Sequence, residues 1–160
     1  MSRFDYTVCA RYALSLAAPA VHTFRVGNAE QRKLRVMVAD DNRDTVLTLS
    51  LLLEDEGHEV HGFYDGADAM NATHANKYDA IILDIEMPEM SGYAVAQDIR
   101  TFYYRKAPAP LLIAISGKWN KPTDKLLAHL VGFDHHLKKP CDPQALFKLL
   151  LPLKLRSEQG

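Results

Sequence analysis

Residues 80–92 read AIILDIEMPEMSG, and this stretch predicts a buried strand with an acid at its end. The apolar run of residues 80–83 stops at Asp84, and a loop containing Pro88 and Gly92 follows. A short apolar run bounded by turn residues is typical of a fully buried strand. The carboxylate of Asp84 is therefore expected at the exposed tip of a strand, where it can act as a ligand or as a nucleophile.

The chain on either side of this stretch alternates between short apolar runs and segments with helical periodicity. Strands are predicted over residues 34–39, 58–63, 79–84, 111–115 and 133–137. Amphipathic helices are predicted after each of them, and the last begins with the pair Asp142-Pro143 and is limited by Pro152. Apolar strands that alternate with amphipathic helices favour a five-stranded parallel sheet covered on both faces, an α/β fold.

Composition indicates one folded domain and excludes several classes of partner. We expect this domain at residues 33–152, after an N-terminal extension of residues 1–32 that is flexible or partly helical and before a tail of residues 153–160. The formal net charge of −1 gives no general attraction to nucleic acid or to an anionic membrane, and no apolar stretch approaches the length of a membrane span. Cys9 and Cys141 show no spacing typical of a metal site, so we expect free thiols and a cytoplasmic protein.

Polar side chains stand at the carboxyl ends of four of the predicted strands. Asp40 and Asp41 follow the first strand, Asp84 the third, Ser116 the fourth and Lys139 the fifth. Ligands of parallel sheets bind at this edge, so these side chains are expected to meet there. Three neighbouring carboxylates favour a hard divalent cation such as Mg²⁺, and a cation with an ammonium and a hydroxyl suits a phosphoryl group. The residues thus predict a metal-assisted phosphoryl site.

Each of these residues also has an ordinary interpretation. Asp40-Asp41 could cap the next helix, Ser116 could belong to a turn, and Lys139 could be a surface lysine. Their joint placement at strand ends favours the phosphoryl site. The pair His135-His136 invites a metal interpretation, but no third ligand has suitable spacing, so a structural or rim role is favoured.

Four motifs together resemble the receiver domain of two-component response regulators, the CheY-like superfamily. They are residues 38–42 (VADDN), 82–92 (ILDIEMPEMSG), 114–117 (AISG) and 138–140 (KKP), and the resemblance covers about residues 33–151. Each motif is weak alone, whereas all four in order at strand ends are highly specific. The resemblance implies a flavodoxin-like, doubly wound sheet flanked by five helices.

The resemblance also implies roles for the acidic residues. Asp84 would be the phosphoacceptor, taking the group from the phosphohistidine of a sensor histidine kinase, from a histidine phosphotransfer protein or from a small phosphodonor. Asp41 would bind Mg²⁺, or alternatively Mn²⁺, directly, and Asp40 would bind it chiefly through water. The backbone carbonyl of Glu86 would complete the protein ligands, and no organic cofactor is expected.

The remaining positions follow in the same way. Ser116 would donate a hydrogen bond to one phosphoryl oxygen, Lys139 would pair with another, and Pro140 would follow in the cis form common in the family. His136 stands where the family usually has an aromatic switch residue, and because imidazole titrates near neutrality we expect a pH-sensitive output surface. Glu86 and Lys118 would flank the path of hydrolytic water and pair with each other.

These expectations describe a stand-alone receiver that belongs to a phosphorelay and signals through protein–protein contacts. We do not expect an enzyme, apart from the receiver's own phosphorylation and slow autodephosphorylation. The usual output face would here include His129, His136 and Phe147. Terminal output and phosphorelay intermediate remain open, because both use the same site. The alternatives are a degenerate receiver that binds without phosphorylation and a haloacid-dehalogenase-type phosphatase, which residues 40–42 disfavour because they lack Asp-x-Asp.

Overall fold

A computed structural model describes residues 32–103, 108–118 and 122–155 of the chain. Residues 1–31 of the predicted extension 1–32, which include Cys9, lie outside the described residues. Residues 156–160 of the predicted tail 153–160 also lie outside them. Among the described helices, none combines the length and apolar character that a bilayer crossing requires.

Five strands and five helices alternate along the described chain. The strands are β1 (Arg35–Ala39), β2 (Glu59–Phe63), β3 (Ala80–Asp84), β4 (Leu111–Ser116) and β5 (His135–Lys138). The helices are α1 (Arg43–Asp55), α2 (Gly66–Ala75), α3 (Gly92–Tyr103), α4 (Pro122–Leu130) and α5 (Pro143–Lys154).

All strand pairs are parallel, and the sheet has the order β2-β1-β3-β4-β5. This confirms the predicted five-stranded, doubly wound α/β fold. Since β3 lies in the middle, with β1 on one side and β4 on the other, the residues that follow these three strands meet at one edge.

Alternating side chains of the strands build two separate cores. On one face Ile81 and Leu83 pack with the buried side chains of α2, α3 and α4, and on the other Ala80 and Ile82 pack with those of α1 and α5. All five residues of β3 are buried, which explains why residues 80–83 form a continuous apolar run before Asp84.

Short polar side chains fix where three helices begin. The Asn42 side chain accepts hydrogen bonds from Asp44 N–H at 2.9 Å and Thr45 N–H at 3.3 Å, so Asn42 caps α1. Asp65 caps α2 in the same manner. Asp142 caps α5 ahead of Pro143, as the sequence predicts. The alternative that Asp40-Asp41 merely caps α1 is therefore not supported.

Several predicted strand ends are shifted by one residue, and the larger differences from the structure are at β5 and α5. β5 begins at His135, two residues after its predicted start. The prediction that Pro152 limits the last helix is wrong, because α5 continues to Lys154 with Pro152 inside it. Leu155 N–H still donates to the Leu151 carbonyl at 3.1 Å, so helical hydrogen bonding resumes after the proline.

Candidate functional site

Asp84 is the last residue of β3, and its carboxylate is almost completely buried, with 3% of the residue exposed. Burial raises the pKa of Asp84, and the nearby charge of Asp40 acts in the same direction. Lys139 and a hydrogen bond from the Glu86 backbone oppose this shift without cancelling it. The charged form of Asp84 is thus under-stabilised by the protein alone.

Lys139 joins two of the predicted acids. Its ammonium nitrogen lies 2.7 Å from Asp40 Oδ2 and 3.1 Å from Asp84 Oδ1. Burial alone would lower the pKa of Lys139, but the two carboxylates reverse this and raise it. Its backbone N–H donates to the Ser116 carbonyl at 2.9 Å, and the following bond to Pro140 is cis, as the resemblance implies.

Asp40 and Asp41 follow β1 but have different surroundings. Asp40 is fully buried, and its Oδ1 accepts the Asn42 N–H at 2.9 Å. Its Oδ2 is also buried and, despite the short distance to Lys139, has no well-oriented hydrogen bond. Asp41 is exposed.

Three carboxylates converge in a manner that fits a divalent cation. One oxygen from each of Asp40, Asp41 and Asp84 lies within 4.8 Å of the others. Lys139 supplies one positive charge beside these three acids, so the site retains an excess of negative charge. An all-oxygen donor set of this kind suits Mg²⁺. The ligand role of the Glu86 carbonyl stays a prediction.

Ser116 is the last residue of β4, and it is buried, with 4% of its surface exposed. The register pairs Asp84 with Ile115, which places Ser116 beside the end of β3. Its hydroxyl oxygen accepts the Lys118 N–H at 3.1 Å. The hydroxyl hydrogen therefore remains a donor for an anion at this edge.

Glu86 and Lys118 form the expected pair across the rim. Lys118 Nζ lies 2.8 Å from Glu86 Oε1, and the Glu86 carboxylate raises the pKa of Lys118. Both side chains are exposed. Solvent and salt therefore screen this pair strongly.

His136 is exposed on β5, opposite Ala114 in the register. Partial burial lowers its pKa, with smaller contributions from Lys125 and His135. These effects favour the neutral form of the imidazole, and its role as a switch stays a prediction. Of the other expected output residues, His129 is exposed and Phe147 is partly buried. Within the described ranges, the three aspartates form the only metal-ligand cluster, so His135-His136 belongs to none.

Sequence reasoning missed two residues near the site. Asn42 was assigned to a motif, but its capping of α1 and its N–H bond to Asp40 were not anticipated. Tyr93 lines a cleft beside Ser116 and was not considered. The available signal was its position directly after Gly92, at the start of a helix that begins at the same sheet edge.

A family model described as the response regulator receiver domain matches residues 36–151. Hybrid signal transduction histidine kinase L of Dictyostelium discoideum is 36% identical over 110 residues, which are 66% of this chain and 6% of that protein. Response regulator GtcR of Aneurinibacillus migulanus is 32% identical over 108 residues, 68% of this chain and 42% of that protein. The chain thus spans less than half the length of these two relatives.

Solved structures show the same fold. Chemotaxis protein CheY4 of Vibrio cholerae is 28% identical with a TM-score of 0.67, over 74% of this chain and 97% of that one. A second similar structure is the Saccharomyces cerevisiae complex of the histidine phosphotransfer protein Ypd1 with the receiver domain of Ssk1. The match has a TM-score of 0.72 and 22% identity, and it covers 80% of this chain and 95% of that one. Since the family model covers well over half of the residues, the chain belongs to the response regulator receiver family and carries a receiver domain of two-component signalling.

Proposed function

We propose that this chain is a phosphorylated signalling receiver that accepts a phosphoryl group on Asp84 and acts through protein–protein contacts. The observation that carries the proposal is the buried Asp84 carboxylate, contacted by Lys139 and accompanied by two further carboxylates within 4.8 Å. A buried nucleophile with a fixed ammonium beside it is suited to a reaction in which negative charge accumulates.

The transfer itself requires few groups. A carboxylate oxygen of Asp84 attacks phosphorus, the P–N bond of the donor phosphohistidine breaks, and the departing imidazole retains the electron pair and takes up a proton. An acyl phosphate on Asp84 results. The Lys139 ammonium and the Ser116 hydroxyl then hydrogen-bond separate phosphoryl oxygens, since both residues lie beside the carboxyl end of β3.

Asp40, Asp41 and Asp84 would hold Mg²⁺ or Mn²⁺, with the Glu86 carbonyl as a further ligand. The bound ion would supply positive charge that offsets the carboxylates and the incoming phosphoryl group. The buried Asp40 oxygen without a well-oriented partner supports a cation at this position.

The donor class follows from the family. We propose a sensor histidine kinase or a histidine phosphotransfer protein as the donor, and the similar yeast structure contains a receiver bound to a phosphotransfer protein. We further propose a stand-alone receiver in a phosphorelay, with slow autodephosphorylation as its only other reaction. A binding module that works without phosphorylation remains the rival, and the complete residue set at the site argues against it.

Intact mass spectrometry tests the proposal. The protein is incubated with Mg²⁺ and a small phosphodonor, beside an Asp84→Asn variant and an Asp79→Asn variant as a matched control. Asp79 precedes β3 at the opposite edge of the sheet, where it binds Arg32 and the Arg35 N–H. We expect a gain of about 80 Da in the wild type and in Asp79→Asn but not in Asp84→Asn. A wild type that gains no mass would favour the phosphorylation-independent rival.

A further inference from the structure

A cleft of about 200 Å³ lies beside the phosphoryl-acceptor site, and we call it the Ser116 cleft. Its lining residues are Ile85, Glu86, Tyr93, Ser116, Lys118 and Asp124. Asp40 and Asp41 follow β1 on one side of β3, whereas Ser116 follows β4 on the other. The cleft is therefore on the side of Asp84 away from Asp40 and Asp41.

The cleft adjoins the reacting position. Ser116 is both a cleft residue and the expected hydrogen-bond donor to the phosphoryl group. Lys118 is near enough to Asp84 that the aspartate charge contributes to its raised pKa, although the Glu86 carboxylate contributes more. A phosphoryl group on Asp84 would consequently face this opening.

Tyr93 is the one aromatic residue among the described residues that line the cleft. The close packing of its neighbour Gly92 and a ring contact of its own fix its position. The preceding Gly92 packs so tightly on the backbone of Asp84 that an added Cβ would overlap the Asp84 carbonyl oxygen. On its other side the Tyr93 ring meets Phe133 edge to face, with 6.3 Å between centroids, and Phe133 is buried. Burial raises the pKa of the phenol, and the charges of Asp124 and Glu86 add to this effect.

We propose that Tyr93 is a positioning residue whose ring forms a fixed wall of the Ser116 cleft and restricts the approach of water to the acyl phosphate on Asp84. This inference rests on the proposed function. In hydrolysis, a water oxygen attacks phosphorus in line with the Asp84 oxygen, the bond from phosphorus to that oxygen breaks, inorganic phosphate leaves and a proton passes to solvent. The attacking water must stand beyond the phosphoryl group, and the Ser116 cleft offers space for it beside Ser116 and Lys118.

Because the Ser116 cleft is small, the Tyr93 ring strongly affects the space that water has there. Six described residues line the cleft, so one aromatic ring makes up a substantial part of its wall. Replacing the ring by a smaller side chain would widen this space beside the reacting phosphorus. A larger ring would narrow it.

The test measures the lifetime of the phosphorylated mass after the phosphodonor is removed, in the full chain with Mg²⁺. The variants are Tyr93→Leu, Tyr93→Phe and Tyr93→Trp. Tyr103→Leu is the matched control, since Tyr103 is also a partly buried tyrosine of α3 but lies at its far end. We expect Tyr93→Leu to lose the group about three- to tenfold faster, Tyr93→Phe to stay within about twofold of wild type, and Tyr93→Trp to lose it more slowly.

Melting temperatures are measured in parallel, and they distinguish a positioning role of Tyr93 from a merely structural one. A merely structural tyrosine would lower the melting temperature in both leucine variants and leave both lifetimes unchanged. Equal lifetimes for Tyr93→Leu and wild type would overturn the inference, as would a Tyr93→Phe variant that is as fast as Tyr93→Leu. If Tyr93→Leu does not fold, a Tyr93→Trp lifetime no longer than wild type overturns it. A wild type that is never phosphorylated rejects the proposed function instead, and this inference with it.

Discussion

Lys118 and Glu86 form an exposed ion pair at the mouth of the Ser116 cleft, and this contact makes a residue-scale prediction. Lys118→Ala should change the autodephosphorylation rate several-fold or less and should leave phosphorylation intact, because the side chain flanks the path of water without contacting Asp84. The measurement is the decay of the phosphorylated mass at low and high salt. Lys118→Arg serves as the control that keeps the pair.

High salt should reduce the difference between Lys118→Ala and wild type, since exposed charges are screened within about 8–10 Å at moderate ionic strength. An unchanged lifetime at low salt would count against any role of the pair at this rim. A loss of phosphorylation would show instead that Lys118 belongs to the acceptor site itself.

His58 gives a second residue-scale prediction, far from the acidic site. Its side chain is buried, with 5% exposure, and its Nδ1 accepts the Leu34 N–H at 3.4 Å. Burial lowers the pKa of His58, and the nearby Lys154 lowers it further. The folded protein therefore binds this proton less tightly than the unfolded chain, in which the pKa is about 6.5.

Stability should consequently fall as the pH drops below about 6.5, and the fall should stop near the depressed pKa of the folded state. His58→Gln cannot take up this proton, so its free energy of unfolding should decline less than that of wild type between pH 7 and pH 5. Urea denaturation at several pH values measures the difference. Parallel curves for the two proteins would refute the assignment.

At the scale of elements, α5 contains Pro152 in its last turn, where one backbone hydrogen bond is lost. Tertiary contacts compensate for this loss. Leu150 is buried, and the ammonium nitrogen of Lys154 lies 3.5 Å from a carboxylate oxygen of Glu56 at the end of α1. Pro152→Ala should restore the bond and raise the free energy of unfolding by about 1–3 kcal/mol. Pro143→Ala is the control.

Pro143 stands at the first turn of α5, where proline is well suited, so its replacement should give no gain. Chemical denaturation of both variants decides the matter. A Pro152→Ala variant no more stable than wild type would show that the proline acts mainly by restricting the unfolded chain.

The same helix shows what sequence can and cannot predict here. Strands such as β3 were predictable because burial on both faces demands a continuous apolar run. The start of α5 was predictable because Asp142-Pro143 is a local signal for the beginning of a helix. The end of α5 was not, because tertiary contacts of its last turn outweigh the local effect of Pro152. The placement of acids at one edge followed from strand ends, whereas the shared contact of Lys139 with Asp40 and Asp84 depends on sheet order and rotamers.

At the scale of the whole molecule, the sheet order brings distant segments into one charged site. β3 lies between β1 and β4, so the acids that follow β1 meet Asp84, and Lys139 reaches both Asp40 and Asp84 from the end of β5. The fold therefore assembles carboxylates that repel each other, and burial raises the pKa of Asp84. A carboxyl whose pKa is raised on folding contributes stability at low pH and loses it as the pH rises through the folded-state value.

Without a divalent cation, the ionised Asp84 should thus destabilise the folded state near pH 7, and Asp84→Asn should be more stable than wild type in the presence of a chelator. Mg²⁺ should stabilise wild type, by about 2.7 kcal/mol at a hundredfold excess over its dissociation constant, because it binds the folded state only. The Asp84→Asn variant lacks one ligand charge, so Mg²⁺ should stabilise it less. The difference in stability between the two proteins should therefore shrink or change sign as Mg²⁺ is added. Melting temperatures with chelator and with increasing Mg²⁺ measure both effects, and the Mg²⁺ response of Asp79→Asn, which removes a carboxylate at the opposite edge of the sheet, is the control. An identical Mg²⁺ response in wild type and Asp84→Asn would contradict the metal assignment, since it would place the ion away from the end of β3.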